Sequence, residues 1–187
     1  NPIAMILVMT LVFSGVFGED PLEFGYFVFS GMLVWNYING VVMQASTCLI
    51  FNEGLIKKVN FPKILFPLVI CLGLLIDFGM GLAVLLLGQL ITGGGIAIEV
   101  GLELIPAAII LLLFGAGVSF VSAVATVYFR DLQYVLAIMM QGLFFLTPVI
   151  YKAKMLNGVA GVLIDINPIT PLIDLHRETL HRRASPE

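Results

Sequence analysis

Between Phe24 and Asn52 the chain runs 29 residues without one charged side chain. A helix needs roughly 20 apolar residues to cross the hydrocarbon core of a bilayer. The feature recurs: stretches 1–18, 64–76, 78–98, 104–129 and 132–151 are also free of charge. Charged residues make up 11% of the chain and the mean hydropathy is +1.09, whereas soluble domains carry about 25% charged residues. A soluble domain of 187 residues has no interior large enough for this apolar surface. The fold class that follows is an all-α polytopic membrane protein. In lipid every backbone group must be satisfied internally, and continuous rather than alternating apolar runs point to helices instead of barrel strands.

Expected spans are about 2–17, 26–50, 64–89, 104–129 and 132–150, in a single transmembrane domain covering 1–187. The loops orient them. Link 51–63 holds Lys57, Lys58 and Lys63 against one acid, Glu53. Links 18–23 and 92–103 are acidic, with Glu19, Asp20 and Glu23 in one, Glu99 and Glu103 in the other. Short basic loops stay in the cytoplasm. Loop 51–63 and the tight turn at Arg130 and Asp131 therefore face inward. By parity the tail 152–187 falls outside, yet it carries Lys152, Lys154, Arg177, Arg182 and Arg183. Either a re-entrant segment breaks the parity or a following span positions the tail; the second fits better. Asn1 lies inside an apolar run with no Met start, so a longer parent chain, extended at both ends, is expected.

Several function classes fall away. No basic run is interleaved with aromatics, so nucleic acid is not an expected partner. Cys48 and Cys71 lack metal or disulfide spacing and read as small core residues. Gly93, Gly94 and Gly95 form a flexible turn, and no Gly-Lys pair exists to build a phosphate loop. His176 and His181 sit in what reads as a surface tail, with no matching nucleophile. The chain is not expected to be an enzyme, nor to hold a metal or cofactor of its own.

Five features carry physical content. In the inner link, Asn52 can cap a short helix with Glu53 in its first turn, and Phe61-Pro62 ends it. That leaves one or two helical turns bearing Lys57 and Lys58. They serve either as a contact for a cytosolic partner or as an anchor on anionic lipid head groups. In the second span Asn36, Asn39, Met43 and Ser46 share a face, flanked by Trp35 and Tyr37. This stripe either bonds neighbouring helices or lines a substrate path. The aromatics Phe24, Tyr26, Phe27 and Phe29 at its outer end make an interfacial belt or a sugar-stacking surface. Gly73, Asp77 and Gly81 line up at four-residue steps, as do Gly115, Ser119 and Ala123, and both rows suit close helix packing. Asp77 is either hydrogen-bonded there or the coupling acid of a carrier. Pro148 should end or kink the fifth span, with Thr147 satisfying a freed carbonyl. Finally, Thr170 as cap and Pro171 in the first turn predict a helix at about 171–182, with Arg177 and His181 in its C-terminal half. It lies on or dips into the outer membrane face, or is an ordinary solvated surface helix.

The motifs Gly31-Met-Leu-Val-Trp35-Asn36, Asn52 to Lys63, Tyr128 to Leu132, Phe145 to Tyr151 and Asn167 to Pro171, in that order, resemble the transmembrane subunit of type-2 ABC exporters. The resemblance is to the branch that exports polysaccharides such as O-antigen and teichoic acid, and it covers most of the chain. It implies a bacterial cytoplasmic membrane protein, multi-pass, with five of an expected six spans present. It implies a homodimer around a channel, a lipid-linked glycan as substrate, and a separate cytosolic ATPase subunit that carries ATP and Mg. By resemblance Glu53, Gly54, Lys57, Lys58, Phe61 and Pro62 belong to a coupling helix. Tyr26, Trp35, Asn36, Tyr37 and Asn39 fall along the translocation path. Pro148, Tyr151, Asn167, Pro168 and Arg177 fall in outer-face gate helices over 152–182. Asp77, Arg130 and Asp131 read as structural. Two other readings stay open: an ABC exporter of drugs or small lipids, and an ATP-independent secondary carrier working through Asp77.

Overall fold

The computed structural model describes residues 21–60, 62–91, 98–151 and 159–181. Those residues form helices and turns, with no strand among them. The elements are α1 (Pro21–Phe51), α2 (Glu53–Lys58), α3 (Leu65–Ile91), α4 (Ile98–Tyr128), α5 (Leu132–Leu146), α6 (Val159–Ile166) and α7 (Thr170–His181). Three of them, α1, α3 and α4, are long and apolar enough to cross a membrane. At 1.5 Å per residue, α5 reaches only about 22 Å, short of the roughly 30 Å hydrocarbon core. The span expected at 2–17 and the Gly93–Gly95 turn lie outside the described residues.

Helix α1 is the hub. It packs against α3, α4, α5 and α7, while α4 also meets α3 and α7. Val34, Ile38 and Val41 of α1 are buried with Leu85 of α3 and Leu111 of α4. The helices approach closely where α1 side chains meet small residues: Leu33 lies over Gly81, and Tyr26 over Gly88. Tyr37 abuts Gly115, where a Cβ would stand 2.7 Å from its hydroxyl oxygen. In α4 the buried hydroxyls satisfy themselves along the helix. Ser119 donates to the Ala116 carbonyl at 2.7 Å and Thr126 to Ser122 at 2.8 Å, so these polar groups enter an apolar interface without needing an interhelical partner. The row Gly115, Ser119 and Ala123 is buried and packs inside the subunit. The row Gly73, Asp77 and Gly81 is not so uniform: Gly81 is buried, while Gly73 and Asp77 are exposed on α3 and open space surrounds Gly73. Cys48 and Cys71 are buried thiols.

Sequence expectation and structure differ at particular caps. Asn52 makes no side-chain cap for α2. It turns back and donates from Nδ2 to the Cys48 carbonyl at 2.7 Å, because the carbonyls at the end of α1 compete for the same short side chain. Thr170 is the first residue of α7 and donates to the Ile164 carbonyl at 2.9 Å, bridging back to α6 rather than capping forward. The acidic link 92–103 is partly helix, since α4 begins at Ile98. The stop of α5 follows the sequence more closely. The residue before a proline is pushed to extended backbone, and Thr147 sits at φ −99, ψ 130 while donating to the Leu143 carbonyl at 2.6 Å.

The expected surface tail is the largest correction. Helix α7 buries Leu172, Ile173, His176, Arg177 and Leu180 against the bundle. His176 is 1% exposed. Its neighbours Ile173, Arg177 and Leu180 share one helical face, and that face is apolar apart from the one cation. Arg177 is thus not a loop charge, which removes it from the orientation count that made the tail look misplaced.

Candidate functional site

Two ends and one groove hold the residues of interest. At one end α2 has no buried residue, and all but Ile56 of it is exposed. Glu53 and Lys57 bridge at 2.5 Å across one turn, with the acid N-terminal to the base, the favourable order for the helix dipole. The bonded Lys57 ammonium holds the Glu53 carboxyl below its usual range, and Arg130 adds to that effect. The turn with Arg130 and Asp131, both exposed, therefore lies at the same end as α2. Around them Phe51, Leu55 and Phe129 expose large apolar surfaces, and Phe51 and Phe129 are more than 70% exposed. Gly54, Lys58 and Pro62 are exposed as well, and Phe61 lies outside the described residues.

Between α1 and α5 runs a groove of about 420 Å³. Trp35, Asn39 and Met43 line it from α1, and Met140, Gln141 and Phe144 from α5, with Ala137 and Phe145 beside them. Trp35 meets Phe144 edge-on at 5.3 Å between ring centroids, and Phe144 meets Phe145 edge-on at 5.7 Å. Asn36 is exposed and Asn39 half-buried on this side, whereas Ser46 turns inward to the Met43 carbonyl at 2.8 Å. The groove thus presents aromatic faces and carboxamides, groups that recognise hydroxyl-rich apolar-faced molecules without carrying charge. Tyr26 and Tyr37 belong to the opposite side of α1, against Gly88 of α3 and Gly115 of α4. Gln141, Met140 and Phe144 carried no signal in the sequence, because their membership depends on α5 lying alongside α1.

At the far end from α2 the broken end of α5 is clasped twice. Asn167 donates from Nδ2 to Thr147 Oγ1 at 2.8 Å and accepts from the Ile169 amide at 3.0 Å. Arg177 donates to the carbonyls of Pro148 and Val149, each at 2.6 Å. Burial lowers the Arg177 guanidinium to about 10, with Asp174 opposing, so it stays charged at neutral pH. Burial also lowers His176, whose Nδ1 bonds the Leu172 carbonyl at 2.8 Å. Pro148 is buried, Pro168 exposed, and Tyr151 donates to the Phe145 carbonyl at 2.9 Å. The structure therefore brings Pro148, Tyr151, Asn167 and Arg177 to one end. Asp77 stands apart on the exposed face of α3, and no ion pair joins it to a described residue.

Long apolar helices around a buried hub, with a polar-aromatic groove along them and an exposed short helix at one end, define a multi-pass membrane protein. The chain belongs to the ABC-2 type transporter membrane family, whose model matches residues 1–181. It is similar to the O-antigen export system permease protein RfbA of Myxococcus xanthus, 25% identical over 190 residues, covering 100% of this chain and 72% of that protein. It is also similar to two proteins of the same name from Klebsiella pneumoniae. One is 23% identical over 175 residues, covering 92% of this chain and 67% of the relative. The other is 23% identical over 180 residues, covering 95% and 69%.

Proposed function

We propose that the chain is the membrane-spanning permease subunit of an ATP-driven exporter that moves a lipid-linked polysaccharide across the bacterial cytoplasmic membrane. The groove carries this reading: Phe144 and Phe145 supply stacking faces, Trp35, largely covered by Phe144, backs them, and Asn39 and Gln141 supply amide donors and acceptors. Sugar rings offer both an apolar C–H face and hydroxyl edges, so this lining fits them and repels neither charge sign. The names of the relatives support the same substrate class. The groove is open along one side, and a second copy of the chain would close it into a channel. Trp35, Asn36 and Asn39 face the path; Tyr26 and Tyr37 brace its wall from behind.

In this reading a separate cytosolic subunit holds ATP and Mg and docks on Glu53, Gly54, Lys57, Lys58, Phe61 and Pro62. The Glu53–Lys57 bridge keeps α2 helical while its apolar residues remain free to be covered. Pro148, Tyr151, Asn167, Pro168 and Arg177 gate the opposite end. Arg130 and Asp131 shape the inner turn. The test is transport by the permease reconstituted with its ATPase subunit. Lys57→Glu should cut glycan transport about twofold or more, since like charges one turn apart weaken α2 by about 0.2–0.5 kcal/mol, while Asp77→Asn should leave ATP-driven transport near the wild-type rate. Unchanged coupling in the first variant sinks the docking assignment. Transport that needs no ATP but needs Asp77 sinks the exporter reading.

A further inference from the structure

Helix α5 stops at Leu146, and the carbonyls of Pro148 and Val149 lie beyond it with no helix to receive them. They also lie at the negative end of the α5 dipole. One side chain, Arg177 of α7, takes both, through Nη1 to Pro148 and Nη2 to Val149. The same Nη2 reaches the Phe27 carbonyl of α1 at 3.3 Å, and the guanidinium carbon stands 3.7 Å over the Phe27 ring. Arg177 is 6% exposed, and no carboxylate among the described residues lies within ion-pair distance of it. The charge is held instead by three main-chain carbonyls from two elements and one aromatic face. Helix α1 leaves the room for this: at Gly31 a Cβ would stand 2.5 Å from Nη2 and 3.2 Å from the Val149 carbonyl oxygen.

We propose that Arg177 is a latch, a positioning residue that pins the broken end of α5 and helix α7 to α1 and so closes the far mouth of the groove. Gly31 is its seat and Phe27 its catch. The inference rests on the permease reading for its purpose and adds the device by which the gate is held and released. Helix α1 is one uninterrupted helix from Pro21 to Phe51. It carries Phe27 and Gly31 near one end and runs through Asn52 straight into α2 at the other. A push on α2 that slides or rotates α1 carries the Phe27 ring and carbonyl away from the guanidinium. The Pro148 and Val149 contacts stay with the segment that follows α5, so the latch opens at the Phe27 side of the guanidinium, along the seam where α7 packs on α1. A planar five-donor group can span these acceptors and stack at once; an ammonium cannot.

The test uses the permease assembled with its ATPase subunit in liposomes, without ATP and without glycan. Ala137→Cys places a small reporter thiol in the groove, and a sulfonated, membrane-impermeant maleimide is added on the side opposite α2. The native thiols at Cys48 and Cys71 are buried, and a sample lacking the reporter corrects for them. Labelling should be slow with the latch intact. It should rise at least ~tenfold in Arg177→Lys and in Gly31→Ala, which keeps the arginine but fills its seat. Phe27→Leu, which keeps the carbonyl and removes the ring, should fall between. Unchanged labelling in these variants overturns the latch, and a lowered melting temperature with unchanged labelling shows a structural clasp only and overturns it too. Since no glycan is present, a failure of the substrate assignment leaves this outcome readable on its own.

Discussion

Two adjacent residues of α7 show how burial acts on unlike groups. Arg177 loses some basicity but keeps its proton, because carbonyls surround it. His176 has a single bond, from Nδ1 to Leu172, and its Nε2 has no hydrogen-bond partner among the described residues. In the neutral tautomer with Nδ1 protonated, Nε2 is a bare lone pair, and the imidazole ring meets Phe78 of α3 edge-on at 5.4 Å between centroids. Protonation would place a second N–H there with no acceptor, beside the charge of Arg177 and one turn or less from Asp174. Burial holds the folded value below the ordinary 6.5. The unfolded chain therefore binds this proton first, so the His176 contribution to stability is constant above about pH 6.5 and falls as pH drops below it. Melting temperatures recorded between pH 8 and pH 5 should show that decline, and His176→Asn, which preserves a donor to Leu172, should flatten it. A pH response unchanged by His176→Asn would place the titrating group elsewhere.

At the level of elements, the break after α5 is the best-supported feature. Thr147 donates to Leu143 and accepts from Asn167, both while buried. Thr147→Val keeps the shape and strands both partners, a cost of about 1–3 kcal/mol. Denaturant unfolding in detergent should show that loss, and combining it with Asn167→Ala should cost less than the two separate losses together, because they share one bond. Pro148 announced this break in the sequence, since proline constrains its own turn and the residue before it. Thr147 was legible for the same local reason. Asn167 was not: its partner lies 20 residues earlier, and only the folded path of α6 brings the two together. The turn-back of Asn52 was hidden by a competition between two helix ends for one carboxamide. The burial of α7 was half legible. Leu172, Ile173, His176, Arg177 and Leu180 fall on one helical face, but a lone arginine on that face reads as solvated until three carbonyls are found around it. The long apolar runs needed no tertiary information, which is why α1, α3 and α4 follow from composition alone.

Across the whole molecule, α1 divides two environments. One side packs against α3 and α4, with Tyr37 on Gly115 and Leu33 on Gly81 in close contact. The other side faces α5 across the groove, where Trp35 and Phe144 meet but leave Asn39 and Gln141 reachable. The outer surfaces of α3 and α4 expose Val69, Ile76, Ile110, Leu113 and Val121, which is where lipid replaces water as the solvent. In the proposed reading the substrate path runs along the groove between α1 and α5, and α1 is continuous with α2 at one end and meets the Arg177 clasp at the other. If that groove is the path, removing its largest ring must weaken the hold on the glycan. An aromatic contact of this kind is worth about 0.5–1.5 kcal/mol beyond its area. Trp35→Ala should therefore raise the glycan concentration for half-maximal transport by roughly three- to tenfold. The same measurement on Ile110→Ala, which trims a lipid-facing side chain of α4, should move it by less than about twofold, because surface changes away from packed features are small. Equal responses from the two variants would mean that the glycan passes elsewhere, and that the groove between α1 and α5 is a packing seam.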